Sequence, residues 1–169
     1  MDFIFKIFAL PLIFCEYVSS SRFASQIRVA HFRIRGAKIG NRVRIQRGVQ
    51  FRGCKNIIIG DDVFIGDGVR LIAYSEKILI GDSALIASDV IVITRSHLFA
   101  EKYVPISSQG YKNSPVFIGS DVWLGFRTVV LAGAAIGNGS IIGANSIVNS
   151  SVPNYSIFGG VPAKYIKDR

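Results

Sequence analysis

Residues 118–148 read IGSDVWLGFRTVVLAGAAIGNGSIIGANSIV and carry an aliphatic residue at every sixth position. Ile118, Leu124, Val130, Ile136, Ile142 and Val148 lead successive six-residue units. The same period runs upstream through Ile39, Ile45 and Phe51, then Ile59, Ile65 and Leu71, then Ile80, Ile86 and Val92. Fourteen of these fifteen leaders are Ile, Leu or Val, and the fifth residue of each unit is small or β-branched except at Lys55. A fixed period of this kind marks a repeat architecture. The phase breaks are equally regular: two extra residues precede Ile59, three precede Ile80 and about twenty precede Ile118, each after a third unit. The chain therefore counts in threes. Eighteen residues make one turn of a three-sided coil, and the insertions emerge at one corner, stacked one above another. Gly or Ala holds position two in most first and second units and in no third unit, as a tight corner tolerant of glycine requires.

The expected fold is all-β: a parallel β-helix of about five three-sided coils over residues 39–153, with an inserted loop at about 98–117. Leaders of one coil stack on those of the next and fill a narrow axial core. No coil buries its own face, so several must stack. A sandwich of alternating strands is the competing reading, and the shared register of leaders and fifth positions disfavours it. Residues 1–38 form an apolar and basic N-terminal cap segment, and residues 154–169 a short C-terminal tail.

Working outward, the 169 residues suit one domain, and with 18% charged and 50% apolar residues the chain is not disordered. The net charge of +9 is lopsided. Residues 1–58 hold eleven bases and two acids, residues 59–169 nine of each, and Arg22 to Lys55 ten bases and no acid. An evenly basic nucleic-acid binder is therefore excluded. Residues 3–14, FIFKIFALPLIF, are too short for a membrane span of about 20 residues. Their first base lies inside the apolar run, unlike a signal peptide. Two readings stay open for this run. It packs on the protein as a helix, or it anchors in a lipid interface, which the basic stretch behind it favours on anionic lipid. The expected location is cytoplasmic, or peripheral at the inner face of the cytoplasmic membrane. Cys15 and Cys54 fit no metal-ligand spacing and no disulfide framework. With only His31 and His97, no multi-histidine metal site is expected.

The recurring unit of an aliphatic residue, glycine, two free positions, a small residue and a sixth free position resembles the hexapeptide-repeat acyltransferases. So do the stretches SPVFIGSDVWLG (114–125) and SVPNYSIFGGVPAKYI (151–166). The likeness covers roughly residues 39–166 and is nearest to the sugar and polysaccharide O-acetyltransferases. It implies a left-handed β-helix, where general crossover rules favour the right hand. It also implies acetyl-CoA as co-substrate, and a homotrimer with active sites between subunits. ALIASDVIVITRSHLF (84–99) matches the family's stretch ending in the catalytic histidine, so the resemblance makes His97 the general base. Histidine suits that task near neutral pH. His31 matches nothing and is read as structural. Trp123 matches a residue lining the site. Gly125, Phe126, Ala144, Asn149, Pro162 and Lys164 match positions that hold coenzyme A, although Phe126 is larger than the family's usual residue there. Asp67 sits where relatives often turn a polar group to the acceptor, and Tyr103 and Tyr111 of the insertion could stack on sugar rings. The expected reaction is acetyl transfer to a saccharide hydroxyl of a polysaccharide, capsule or lipid-linked glycan precursor. The alternatives are an antibiotic O-acetyltransferase and a non-catalytic scaffold.

Overall fold

The computed structural model describes residues 20–169; the run 3–14 lies outside them. The described residues form the expected left-handed parallel β-helix, opened by one α-helix. Helix α1 (Arg22–Ile34) begins at Ser21, whose hydroxyl accepts from the Ala24 N–H at 3.2 Å and so serves as an N-cap. Its Ala24, Ser25, Arg28, Val29 and Phe32 are buried at the end of the first coil. Phe32 stacks on Phe51 with centroids 4.0 Å apart. Among the described residues no coil precedes the first, so its backbone needs other partners. The Ile45 N–H donates to Ser25 Oγ at 2.9 Å, and the Ile45 carbonyl accepts from Arg28 Nε at 2.8 Å.

Five coils follow, each laying one strand on each of three faces. The first face stacks Lys38–Ile39, Ile57–Ile59, Ile78–Ile80, Val116–Ile118 and Ala135–Ile136. The second stacks Arg44–Ile45, Phe64–Ile65, Leu85–Ile86, Trp123–Leu124 and Ile141–Ile142, and the third stacks Gln50–Arg52, Arg70–Ile72, Ile91–Ile93, Val129–Val130 and Ile147–Val148. Pairing within these stacks is parallel and keeps the hexad register, Leu124 lying between Ile86 and Ile142. Every leader from Ile45 to Val148 is at most 3% exposed.

Two details differ from the repeat as read. At the third corner of the first three coils, the fifth residues Lys55, Ser75 and Ser96 are exposed, and Cys54, Ala73 and Thr94 are buried instead. The residues that break the phase explain this. Ile57, Ile78 and Val116 are fully buried and lengthen the strands of the first face inside the core, so the corner shifts upstream. The glycines at position two are not there for corner conformation either. Left-handed backbone falls at position four, as at Arg42, Asp62, Asp121 and Asn145. Position two is instead a place of close approach between successive coils: a Cβ on Gly125 would stand 2.6 Å from the Ala144 nitrogen.

The corner between the first and second faces carries a ladder of side chains. Each accepts from a backbone N–H of the previous coil: Asn41 N–H to Asp61, Asp61 to Asp82, Ser120 to Asn138 and Asn138 to Asn154, all at 2.8 Å, with Asp82 to Ser120 at 3.1 Å. The ladder reaches residue 154, and the coil geometry continues with it. Val152 bridges to Ile136, and Ser156–Gly159 pairs in parallel with the fifth coil. Lys164–Asp168 then turns back antiparallel on it, so residues 154–169 are a partial sixth coil closed by a hairpin.

Ion pairs also join coils. Arg42 meets Asp62 at 2.6 Å and Arg47 meets Asp67 at 3.3 Å. The Arg42 hydrogen bond holds the Asp62 carboxyl below its ordinary value and raises Arg42. A lowered carboxylate pKa contributes stability above the unfolded value, and that contribution is lost as the pH falls through the folded one. Asp62→Asn is therefore expected to lower thermal stability slightly near neutrality, to match the parent at low pH, and so to flatten the acid limb of the profile, as Arg42→Gln should.

Candidate functional site

His97 ends the short strand Arg95–His97, which pairs antiparallel with Tyr111–Asn113. This hairpin is the base of the long insertion and leaves the third corner, between the third and first faces. The imidazole is exposed, and its centroid lies 4.6 Å from that of Tyr111, tilted by 49°. Beneath it, Arg95 lies 4.6 Å from the Tyr111 centroid and 3.7 Å from that of Tyr74, and donates through Nε to Asn113 Oδ1 at 2.8 Å. Tyr74, Arg95, Tyr111 and His97 thus form one column up the corner. A guanidinium between two aromatic faces is a favourable arrangement. The sequence reading missed Tyr74 and Arg95, although both hold position four of a third unit in successive coils.

The other expected site residues fall into separate groups. Tyr103 stands out from the loop, 90% exposed, with only the Lys102 ammonium against its ring among the ring contacts described. The loop is held instead by Gln109, whose side chain bonds the backbone of Glu101 and Val104. Trp123 lies outward on the second face, half exposed, in register with Leu85 below and Ile141 above. It lines a small cavity of about 190 Å³ with Ser83, Leu85, Asp121 and Arg169. A whole face of the prism separates it from the corner bearing His97, so one copy of the chain does not bring the two together. Asp67 lies at the corner between the second and third faces, where it accepts from the Arg47 backbone N–H at 3.2 Å and pairs with the Arg47 side chain.

Gly125, Phe126 and Ala144 gather at that same corner on the fourth and fifth coils, the Phe126 carbonyl accepting from the Asn145 N–H at 2.8 Å. The segment carrying Pro162 folds against the third face beside them, with the Ala163 N–H on the Ile147 carbonyl at 2.8 Å. Lys164 opens the final strand opposite Gly159. Asn149 stands apart at the far end of the third face. On this face opens a cleft of about 520 Å³, with apolar walls from Ile91, Val129, Ile147 and Val161 and charged ones from Arg70, Arg127 and Asp89. Arg127 lies over the Phe126 ring at 4.8 Å and 3.6 Å from Asp89. The cleft can take an apolar arm and an anionic end together. Among the described residues, no three His, Cys, Asp or Glu side chains cluster as metal ligands.

The comparisons with known proteins agree with this architecture. Residues 115–150 match the family model described as bacterial transferase hexapeptide (six repeats). A dTDP-4-amino-4,6-dideoxy-D-glucose acyltransferase of Escherichia coli is 30% identical over 78% of this chain and 81% of its own length. A hexapeptide-repeat containing acetyltransferase of Vibrio cholerae, solved with acetyl coenzyme A, is 30% identical with a TM-score of 0.78, over 95% of this chain and 84% of that one. A galactoside acetyltransferase solved with coenzyme A gives a TM-score of 0.81 at 25% identity, over 96% and 79%. Two other curated relatives are longer: the chain spans 36% of a Mycobacterium tuberculosis protein named as an acetyltransferase and 60% of an Escherichia coli protein named for lipopolysaccharide O-acetyl transfer. With its five stacked hexapeptide coils, this chain belongs to the bacterial transferase hexapeptide family.

Proposed function

We propose that this protein is an acetyl-CoA-dependent O-acetyltransferase acting on a saccharide hydroxyl, with His97 as general base. The observation that carries the reading is the position of His97: a solvent-facing imidazole, steadied by Tyr111, at the base of the one long insertion in a fold whose neighbours hold coenzyme A. A ring nitrogen of His97 accepts the proton as the acceptor oxygen attacks the thioester carbonyl carbon. The tetrahedral adduct collapses, the C–S bond breaks, and the imidazolium returns the proton to the leaving thiolate. Holding the two substrates together contributes beside the base.

Coenzyme A is assigned to the third-face cleft, its pantetheine arm along Gly125, Phe126 and Ala144 under the Pro162 segment. Arg70 and Arg127, with Lys164, face its phosphates. The saccharide class follows relatives named for galactoside and dTDP-sugar substrates. Tyr111 offers the sugar a ring beside His97.

The separation of Trp123 from His97 supports a site shared between copies in a trimer, with Trp123 of one protomer facing His97 of its partner. Subunit mixing tests this. His97→Ala and Trp123→Ala are each expected to be deficient alone, and a refolded mixture to recover activity. A mixture no more active than its parts would exclude a shared site. The reaction itself is tested by thiol release from acetyl-CoA across a panel of oligosaccharide and small-molecule acceptors, with acetyl ester detected on the product. Release without a saccharide ester would overturn the substrate class. Arg95→Met, which keeps much of the stem but loses both ring contacts, is expected to lower kcat on the order of tenfold with little change in the KM for acetyl-CoA, as the histidine loses its support.

A further inference from the structure

The outer side of helix α1 has no role in the reading above. At about 100° per residue, Phe23, Ile27, Ala30 and Ile34 fall in one narrow stripe, opposite the buried Ala24, Ser25, Arg28, Val29 and Phe32. Phe23 is 76% exposed and Ile34 86%. The helix therefore carries a second apolar stripe, and among the described residues only the side with Ala24, Ser25, Arg28, Val29 and Phe32 faces the coils. Bases border the second side: Arg22 and Arg33, with Gln26, lie along one flank, and His31 and Arg35 along the other. Arg33 and Arg35 are fixed at that rim by bonds to carbonyls of the first coil, Arg33 to Ile39 and Gly40 and Arg35 to Phe51. Beside the helix, Arg22, Arg42 and Arg44 line a common cleft, Arg42 being paired with Asp62.

We propose that this face of α1 docks on an anionic lipid surface, Phe23, Ile27 and Ile34 entering the interface while the flanking bases meet lipid phosphates. Charge decides the occupant. Two copies meeting through this stripe would bring arginine rows against arginine rows, and no acid lies between Arg22 and Lys55 to offset them. Anionic headgroups supply the missing charge, and an apolar strip flanked by bases is the pattern of an interfacial helix. The chain ahead of the helix agrees in composition, since residues 3–14 are almost wholly apolar. Among the described residues no helix is long and apolar enough to cross a membrane. The inference stands on α1 alone and does not depend on the acetyl-transfer reading.

The test is co-sedimentation of the full chain with vesicles of phosphatidylglycerol and phosphatidylcholine, and with phosphatidylcholine alone. The intact chain is expected to bind the anionic vesicles, less so as salt rises, and to bind the neutral ones weakly. The double substitution Phe23→Ser, Ile34→Ser removes only exposed groups, so its thermal unfolding should match the parent. Its partition is expected to fall at least about tenfold. No binding by the intact chain, equal binding to neutral vesicles, or undiminished binding by the double variant would each overturn the proposal. So would a change in native mass of the double variant by light scattering, which would identify a second copy as the occupant.

Discussion

Replacing His97 with alanine is expected to slow acetyl transfer by about 10²–10⁴-fold, the usual contribution of a positioned general base. The side chain is exposed and its described ring contact is with Tyr111, so its removal leaves no cavity in the core. The protein should keep its melting temperature and its affinity for coenzyme A, which is assigned to a different corner. Those two controls separate loss of chemistry from loss of structure. His97→Asn, which keeps polarity and loses basicity, should be as slow as alanine. Undiminished turnover in either variant, measured as thiol release with a competent acceptor, would rule out the proposed mechanism. A fall caused wholly by weaker coenzyme A binding would move His97 from the chemistry to the cofactor site.

Leu124→Ala is expected to cost about 2–5 kcal/mol of stability. Leu124 is fully buried and sits between Ile86 and Ile142 in the axial stack. Its loss removes transfer free energy and leaves a void that coils locked by backbone pairing close poorly. Stability in a stacked repeat is carried by neighbouring interfaces, and the fourth coil supplies the interface on both of its sides. The expected fall in melting temperature is roughly 5–15 °C. Ile34→Ala, on a side chain 86% exposed, should change stability by less than about 0.5 kcal/mol. Equal effects from the two substitutions would mean that the leaders do not form the core.

Much of this was legible because the core is one-dimensional. An inward position recurs every six residues, so Ile45 and Ile142 could be placed without knowing any contact between them. The third corner escaped because register counts residues and not path length: Ile57, Ile78 and Val116 interrupt the count yet belong to the core. The C-terminal segment escaped for a related reason. Asn154 and Ser156 continue the coil through a hydrogen bond and a buried hydroxyl, neither of which has an aliphatic signature. For the site, periodicity put His97 at the end of a third unit and Trp123 at the end of a first, on different sides of one copy, but could not give the distance or the rings packed around His97. The Tyr74–Arg95 stack was within reach, since equal positions in successive coils lie one above another. Its chemistry is not a repeat signature, because a tyrosine and an arginine share no hydrophobic class.

The two ends of the prism have a consequence for behaviour at high concentration. A stack of parallel coils has no intrinsic length: its last strands offer the same unpaired backbone that the coil before them used, and another molecule could extend the rod. Here Ser25 and Arg28 of α1 occupy the peptide groups of Ile45 at one end, and the reversed strand Lys164–Asp168 covers the last rung at the other. Arg169 secures that closing strand to Asp121, two coils back, at 2.7 Å. The rungs of the second face are thereby occupied at both ends, and removing residues 164–169 is expected to uncover a parallel edge there able to recruit another chain, read as a rise in light scattering at high concentration.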